Sequence, residues 1–208
     1  MRIAVIQGSS MADKNAIMYE AVRKHAEGHE VIDLGCRETD SGRFSYIEIS
    51  VLIGIMLSSG AVDFVVTGCA SGQGMMLACN SMPGVLCGYA PTPQDAYLFA
   101  QINDGNAVSL PLGEGYTWNG EENLERTVEK LFSEPFGQGW PKADADRKLR
   151  DTALLKKIRK AAQGDMVSLL DSLDRDLVRK ILGKTDAISF VLENGKSEEI
   201  KEWIRKNS

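Results

Sequence analysis

The residues best suited to chemistry lie together in Gly68-Cys69-Ala70-Ser71-Gly72-Gln73-Gly74-Met75. Before them runs Val62-Asp63-Phe64-Val65-Val66-Thr67, rich in β-branched and aromatic residues, which predicts a buried parallel strand. After them, Met75 to Cys79 reads as a helix with an apolar face. A strand, a glycine-rich turn and a helix start make an anion cradle. Glycines let the backbone approach closely, and the first-turn N–H groups of the helix point at the ligand. Cys69 stands at the strand's carboxyl end, where ligands bind in open α/β sheets. A helix N-terminus favours the thiolate form of such a cysteine, and amides from about Ala70 to Gly74 can bind a developing oxyanion. The loop is not a Walker loop, because no Gly-Lys-Ser/Thr follows. Nor does its spacing fit G-x-G-x-x-G. The plain alternative is a tight strand-to-helix turn enclosing a buried thiol.

The elements that must position this loop follow from hydrophobic pattern. Strands are expected at Ile3–Ile6, Glu30–Leu34, Val62–Thr67, Val85–Tyr89 and Ala107–Leu110, and helices at Ala12–Ala26, Tyr46–Ser58, Met75–Cys79, from Pro91/Pro93 to Ala100, and at Glu121–Phe132. Ser9 or Ser10 is a candidate N-cap. The Tyr46–Ser58 helix is apolar around most of its circumference, so it is buried or lies at a subunit interface. Alternating strands and helices imply an α/β fold, a doubly wound (Rossmann-like) parallel five-stranded sheet. All loops after strands then emerge on one edge, which gathers Gly8-Ser9-Ser10, Gly35 to Ser45, Gly68 to Gly74 and Tyr89 to Thr92. Composition shifts at Pro135 to Pro141. Residues 1–139 therefore read as one domain and 140–208 as a helical C-terminal extension, with helices at Asp146–Ala162, Asp165–Leu182, Asp186–Leu192 and Ser197–Lys206.

Composition excludes several classes. The chain has 208 residues, 43% hydrophobic, with net charge −5 and pI about 5.2. That argues against non-specific nucleic-acid binding. No apolar run is long enough to span a bilayer, and the start reads as a strand rather than a signal peptide. Cys36, Cys69, Cys79 and Cys87 have neither metal-type nor disulfide-framework spacing, so a reducing, cytoplasmic setting is expected.

Cys69-Ala-Ser-Gly-Gln-Gly-Met75 followed by Asn80-Ser-Met-Pro-Gly84 resembles the ribose-5-phosphate isomerase B / galactose-6-phosphate isomerase family. That family's pattern is Cys-Gly-Thr-Gly-x-Gly-Met, then Asn-x-x-Pro-Gly. The resemblance extends to Met1–Ser10, Val31–Gly35 and Asn103–Asn106, covers about Met1 to Gly139, and stops at the tail. It implies an aldose–ketose isomerase working through an enediol, with Cys69 as the proton-transfer base. Ser71 stands where the family has a threonine that hydrogen-bonds the substrate. Asn103 matches an asparagine that contacts the reacting end of the sugar. Gly8, Ser9, Ala70, Gly72 and Gly74 are expected to line the substrate. The family holds phosphate with arginines, often from the neighbouring subunit. Arg147 and Arg150 are the candidates here, with Lys142 and Arg43 behind them. No metal, nucleotide or redox cofactor is implied, and a homodimer or dimer of dimers is expected.

Two departures stand out. Gly8-Ser9 replaces the family's usual Asp-His, and Gly88-Tyr-Ala-Pro-Thr92 replaces its ring-opening histidine. The chain's histidines, His25 and His29, are expected on the opposite edge of the sheet. The substrate is then open-chain, or Ser9, Tyr89 or Thr92 acts through a water. The expected substrate is a sugar phosphate of the ribose 5-phosphate or galactose 6-phosphate type; a carboxylate would suit such a pocket as well, so a uronic-acid derivative is the alternative. A non-catalytic sugar- or anion-binding homologue, or a hydrolase using Cys69 as nucleophile, are the readings from other classes.

Overall fold

The computed structural model describes residues 1–40 and 42–208. Ser41, inside the expected Gly35–Ser45 loop, lies outside them. Five strands, β1 (Arg2–Val5), β2 (Glu30–Asp33), β3 (Phe64–Cys69), β4 (Cys87–Tyr89) and β5 (Ala107–Pro111), form one sheet. The order is β2-β1-β3-β5-β4, and every neighbouring pair is parallel. The doubly wound sheet expected from the sequence is therefore present. Among the described residues no helix is long and apolar enough to cross a membrane.

Alternation along each strand sorts side chains to two faces. Ile3, Val5, Phe64, Val66, Val108 and Leu110 pack with α1 (Asn15–His25) and α5 (Gly120–Phe132). Ala4, Ile6, Val65 and Ala107 pack against α2 (Tyr46–Ser58) and α3 (Gln73–Asn80). α4 (Pro93–Leu98) carries straight into a π-helical turn over Phe99–Asn103.

Several boundaries move for physical reasons. The expected Ala12–Ala26 helix starts as a 3-10 segment over Ser9–Lys14 before α1 begins. Neither Ser9 nor Ser10 caps it. Gly8 holds the N-cap position without a side-chain bond, because the Ser9 hydroxyl is committed elsewhere. β3 runs two residues further than its apolar stretch, because Gly68 and Cys69 pair in register with Leu110 and Pro111.

The tail folds as α6 (Ala145–Ala162), α7 (Met166–Ser172), α8 (Arg175–Leu182), α9 (Thr185–Asn194) and α10 (Glu198–Asn207). The expected single helix over Asp165–Leu182 is two. Asp174 breaks it, taking an extended conformation and accepting from the Leu177 N–H as the cap of α8. Met166, Leu170, Ile181, Ile188, Val191 and Trp203 join the same core as α2 and the sheet. The all-round apolarity of α2 has its explanation here. One side packs on the sheet and α3, the other on α7, α8 and α9, and Glu48 to Met56 are all buried. At the closest point Gly54 leaves room for Met82 and Met166, whose atoms would lie 3.0 and 3.1 Å from a Cβ there.

Candidate active site

The sheet order places the crevice. Reading outward from β1, the chain turns to β2 on one side and β3 on the other, so the winding reverses between β1 and β3. Ligands bind at such a switch point, outside the carboxyl ends of the strands. The Ile6 N–H donates to the Val66 carbonyl at 3.1 Å. This register carries Gly8 and Ser9 out beside Gly68 and Cys69.

Cys69 ends β3 half-buried, whereas Cys36, Cys79 and Cys87 are buried. Its carbonyl accepts from the Gly72 and Leu112 N–H groups at 3.1 and 3.0 Å, and the Ala70 carbonyl accepts from Gly113 at 2.9 Å. These bonds curl Ala70-Ser71-Gly72 back over the end of β5. Gly72 makes the turn with φ 74°, and a Cβ there would meet the Tyr89 ring at 2.7 Å and the Leu110 carbonyl carbon at 2.9 Å. Only glycine fits both demands. The Gly72 carbonyl accepts from the Ser109 hydroxyl at 2.6 Å, and the Ser71 hydroxyl accepts from the Gln73 N–H at 3.3 Å. α3 thus begins right at the loop, and its first-turn amides at Gly74 and Met75 have no intrahelical acceptor.

The rim has two walls. On one side the Ser9 N–H and hydroxyl donate to the Phe44 carbonyl at 2.8 and 2.9 Å. Tyr46, at the start of α2, stands over Gly74, its ring 3.8 Å from where a Cβ would be. Ser45 caps α2 in a reciprocal box with Glu48, whose carboxylate accepts from the Ser45 N–H at 2.8 Å. On the other side Tyr89 packs on Gly72, with its hydroxyl 2.9 Å from that of Thr117. Phe44, Tyr46, Thr117 and Gly113 were missed as site residues. They come in two pairs, Phe44 and Tyr46 at the start of α2 and Gly113 and Thr117 between β5 and α5, and no local pattern marks either pair. Thr92 serves α4 as its N-cap, accepting from the Asp95 N–H at 3.3 Å.

Seven of the expected site residues, Gly8, Ser9, Cys69, Ala70, Ser71, Gly72 and Gly74, therefore lie at the carboxyl edge of β1 and β3. Asn103, Arg147 and Arg150 come from other elements, and among the described residues no hydrogen bond or ion pair ties them to the Cys69 loop. Asn103 ends the π turn ahead of β5 and lines a groove of about 370 Å³ along the edge strand β4. Arg147 and Arg150 project from the first turns of α6 and pair with Asp144 and Asp151 at 3.2 to 3.5 Å. α6 packs beside the Asn103 segment, where the Thr152 hydroxyl donates to the Ile102 carbonyl at 2.7 Å. His25 and His29 lie at the amino edge, against Glu125 and the chain's amino group at 3.3 and 3.1 Å. No histidine stands at the crevice.

A model of the family described as Ribose/Galactose Isomerase matches residues 3–148. The chain belongs to that family. The family's members are sugar isomerases, and the half-buried cysteine with its glycine loop sits inside the matched stretch. Two solved structures align end to end. One, 4-deoxy-L-threo-5-hexosulose-uronate ketol-isomerase complexed with a tartrate, is 37% identical with TM-score 0.93 over 100% of this chain and 99% of its own. The other, ribose-5-phosphate isomerase from Vibrio parahaemolyticus, is 36% identical with TM-score 0.92 over the same shares. Type B ribose 5-phosphate isomerase from Trypanosoma cruzi shares the fold at 21% identity and TM-score 0.64, over 77% of this chain and 99% of its own. YwlF of Bacillus subtilis (strain 168), a candidate sugar phosphate isomerase, is 30% identical over 103 residues, half of this chain. The match spans 65% of that relative's length.

Proposed function

We propose that this chain is a ketol-isomerase of an open-chain acidic sugar, with a uronic-acid derivative as the substrate class. The observation that carries the reading is Cys69, the one cysteine that is not buried, at the carboxyl end of β3 by the switch point and just before the first turn of α3. Its thiolate takes the proton from the carbon next to the carbonyl. The electron pair moves into the new C=C bond of an enediolate, whose oxygen is held by amides between Ala70 and Gly74. The Cys69 thiol, whose proton exchanges with water, then protonates the former carbonyl carbon, while a hydroxyl proton moves between the two oxygens with Ser71 or a water as carrier. No cofactor enters the balance.

Two points favour the uronate. The end-to-end likeness to a uronate ketol-isomerase is one. The other is the crevice without a histidine, which suits a substrate needing no ring opening. The second reading, a pentose or hexose phosphate, is favoured by the almost equal likeness to the Vibrio protein. Proton exchange from solvent, followed by NMR over open-chain and ring-locked sugars bearing carboxylate or phosphate, decides between them. Turnover of 5-keto uronates with none of ribose 5-phosphate is the expected result. The reverse pattern establishes the phosphate reading, and binding without exchange establishes a non-catalytic protein.

The anion-binding half is proposed to come from a second copy of the chain. Arg147, Arg150 and Asn103 make no hydrogen bond or ion pair with the Cys69 loop in one copy. α6 leaves Leu154, Leu155 and Ile158 exposed, and the crevice rim leaves Tyr46, Ile47 and Leu77 exposed. Docking one stripe on the other buries both and completes the site. Mixing Cys69→Ala with Arg147→Ala/Arg150→Ala chains tests this. At substrate well below KM, where the arginine variant is slow, shared sites should restore about a quarter of the wild-type rate, because half of the randomly mixed dimers hold one intact site of two. No recovery on mixing would place the whole site within one chain.

A further inference from the structure

Lys184 sits between α8 and α9 with only 4% of its surface exposed. An ammonium is costly to bury unless it is paired and hydrogen-bonded. Here it donates to both oxygens of Asp186 at 2.7 and 2.9 Å, and points at the Gly35 carbonyl at 3.5 Å. It also faces the Phe44 ring, 6.0 Å from the centroid. Gly35 and Phe44 belong to the segment between β2 and α2, which supplies one wall of the crevice. Phe44 is the residue whose carbonyl holds both the N–H and the hydroxyl of Ser9. Next to it, the Lys180 ammonium lies 3.6 Å from Glu48, the carboxylate of the cap that starts α2 below Tyr46. Two tail lysines therefore reach the two points that fix this wall.

We propose that Lys184 is a positioning residue for the candidate site: it clamps Gly35 and Phe44 and so sets Ser9 against the Cys69 loop. This rests on the isomerase reading for its kinetic consequence, though not for the clamp itself. The brace comes from the C-terminal helices, and it acts on the substrate wall rather than on the base.

The test compares full-length Lys184→Met, which keeps the aliphatic stem, with Lys184→Arg, which keeps the charge. Amide hydrogen exchange is read at residues 8–10 and 42–46, beside turnover of the substrate found active on the wild type. Lys184→Met should speed exchange at both segments about tenfold. It should raise KM about tenfold while kcat stays within about threefold, because the base is untouched. Lys184→Arg should return both to near wild type. In a Ser9→Ala background the KM cost of Lys184→Met should largely vanish, since the two act as one unit. Unchanged exchange, or KM losses that add fully with Ser9→Ala, overturns the proposal. If the methionine variant fails to fold, Asp186→Asn with the same readouts takes its place. A wild type with no turnover on any sugar sinks the isomerase reading alone, and the exchange result still decides the clamp.

Discussion

The crevice at Cys69 and the surface around Arg147 differ in what each lacks. The first has a thiol, free amides and two tyrosine-bearing walls, but no cationic side chain in hydrogen-bond contact with its loop. The second has two arginines, both paired with aspartates, and an asparagine whose groove is lined by the buried Cys87 rather than by an accessible thiol. On the proposed reading, one half serves a reacting carbonyl and the other a negative charge. A sugar carrying a carboxylate or phosphate at its far end spans such a pair. On that reading, these two regions of the chain meet only when a second copy docks.

The sharpest way to break the contrast is to remove the thiol. Cys69→Ala should cost about a thousandfold or more in turnover, in the range of general-base catalysis, with far-UV circular dichroism unchanged. Cys69→Ser should retain little, because a hydroxyl is a far weaker acid. Full turnover without Cys69 would move the chemistry out of the crevice.

Next in size is the turn itself. Gly72→Ala forces a side chain into φ 74° and against the Tyr89 ring. A loss of about 2–3 kcal/mol in stability is expected, together with a fall in kcat, measured by urea unfolding and initial rates. A silent variant would mean that the loop is looser than its contacts imply.

The arginine side should respond more mildly. Arg147→Ala/Arg150→Ala should raise KM about tenfold to thirtyfold and spare kcat, as expected for a charge-assisted contact to a remote group. If kcat falls equally, the arginines belong with the reacting centre and the division into halves is wrong.

The smallest effects are those of pH on the wall behind the crevice. Burial alone would push the Glu48 carboxyl up. The Ser45 hydroxyl, backbone N–H groups and Lys180 outweigh it and hold the carboxyl below the ordinary 4.5. Its contribution is present above that value and is lost as pH falls through the lowered folded value. Glu48→Gln should cost about 1 kcal/mol at neutral pH and remove that acid-side slope in thermal melts. At the alkaline end, burial pushes the Cys36 thiol from 9.0 up to about 12, with Lys184 and Arg37 opposing and Asp40 and Asp186 adding to the rise. Stability from keeping it protonated is whole below about pH 9 and declines from there to about pH 12. Cys36→Ala should flatten that decline.

Local pattern made much of this readable. Short apolar runs rich in β-branched residues place all five strands, and the glycine spacing after Cys69 marks a cradle. Ends were less legible. β3 gains Gly68 and Cys69 through pairing with β5, which no local propensity encodes. α7 and α8 part at Asp174 because a capping carboxylate competes with helix continuation. Cys79 and Cys87, eight residues apart in sequence, come together in the core, where Cys79 and burial hold the Cys87 thiol well above its usual range.

By itself the sequence determined the α/β class, the position of Cys69 at a strand's carboxyl end and the absence of a histidine from its loop, since these depend on residue type and short-range spacing alone. Only the tertiary structure decided the strand order that puts the switch point between β1 and β3. It also decided that the second face of α2 is covered by the chain's own tail and that Asn103, Arg147 and Arg150 make no hydrogen bond or ion pair with the Cys69 loop. These are outcomes of long-range packing, in which surfaces find partners wherever the most apolar area is buried. An apolar helix face states that it will be covered, and is silent about what covers it.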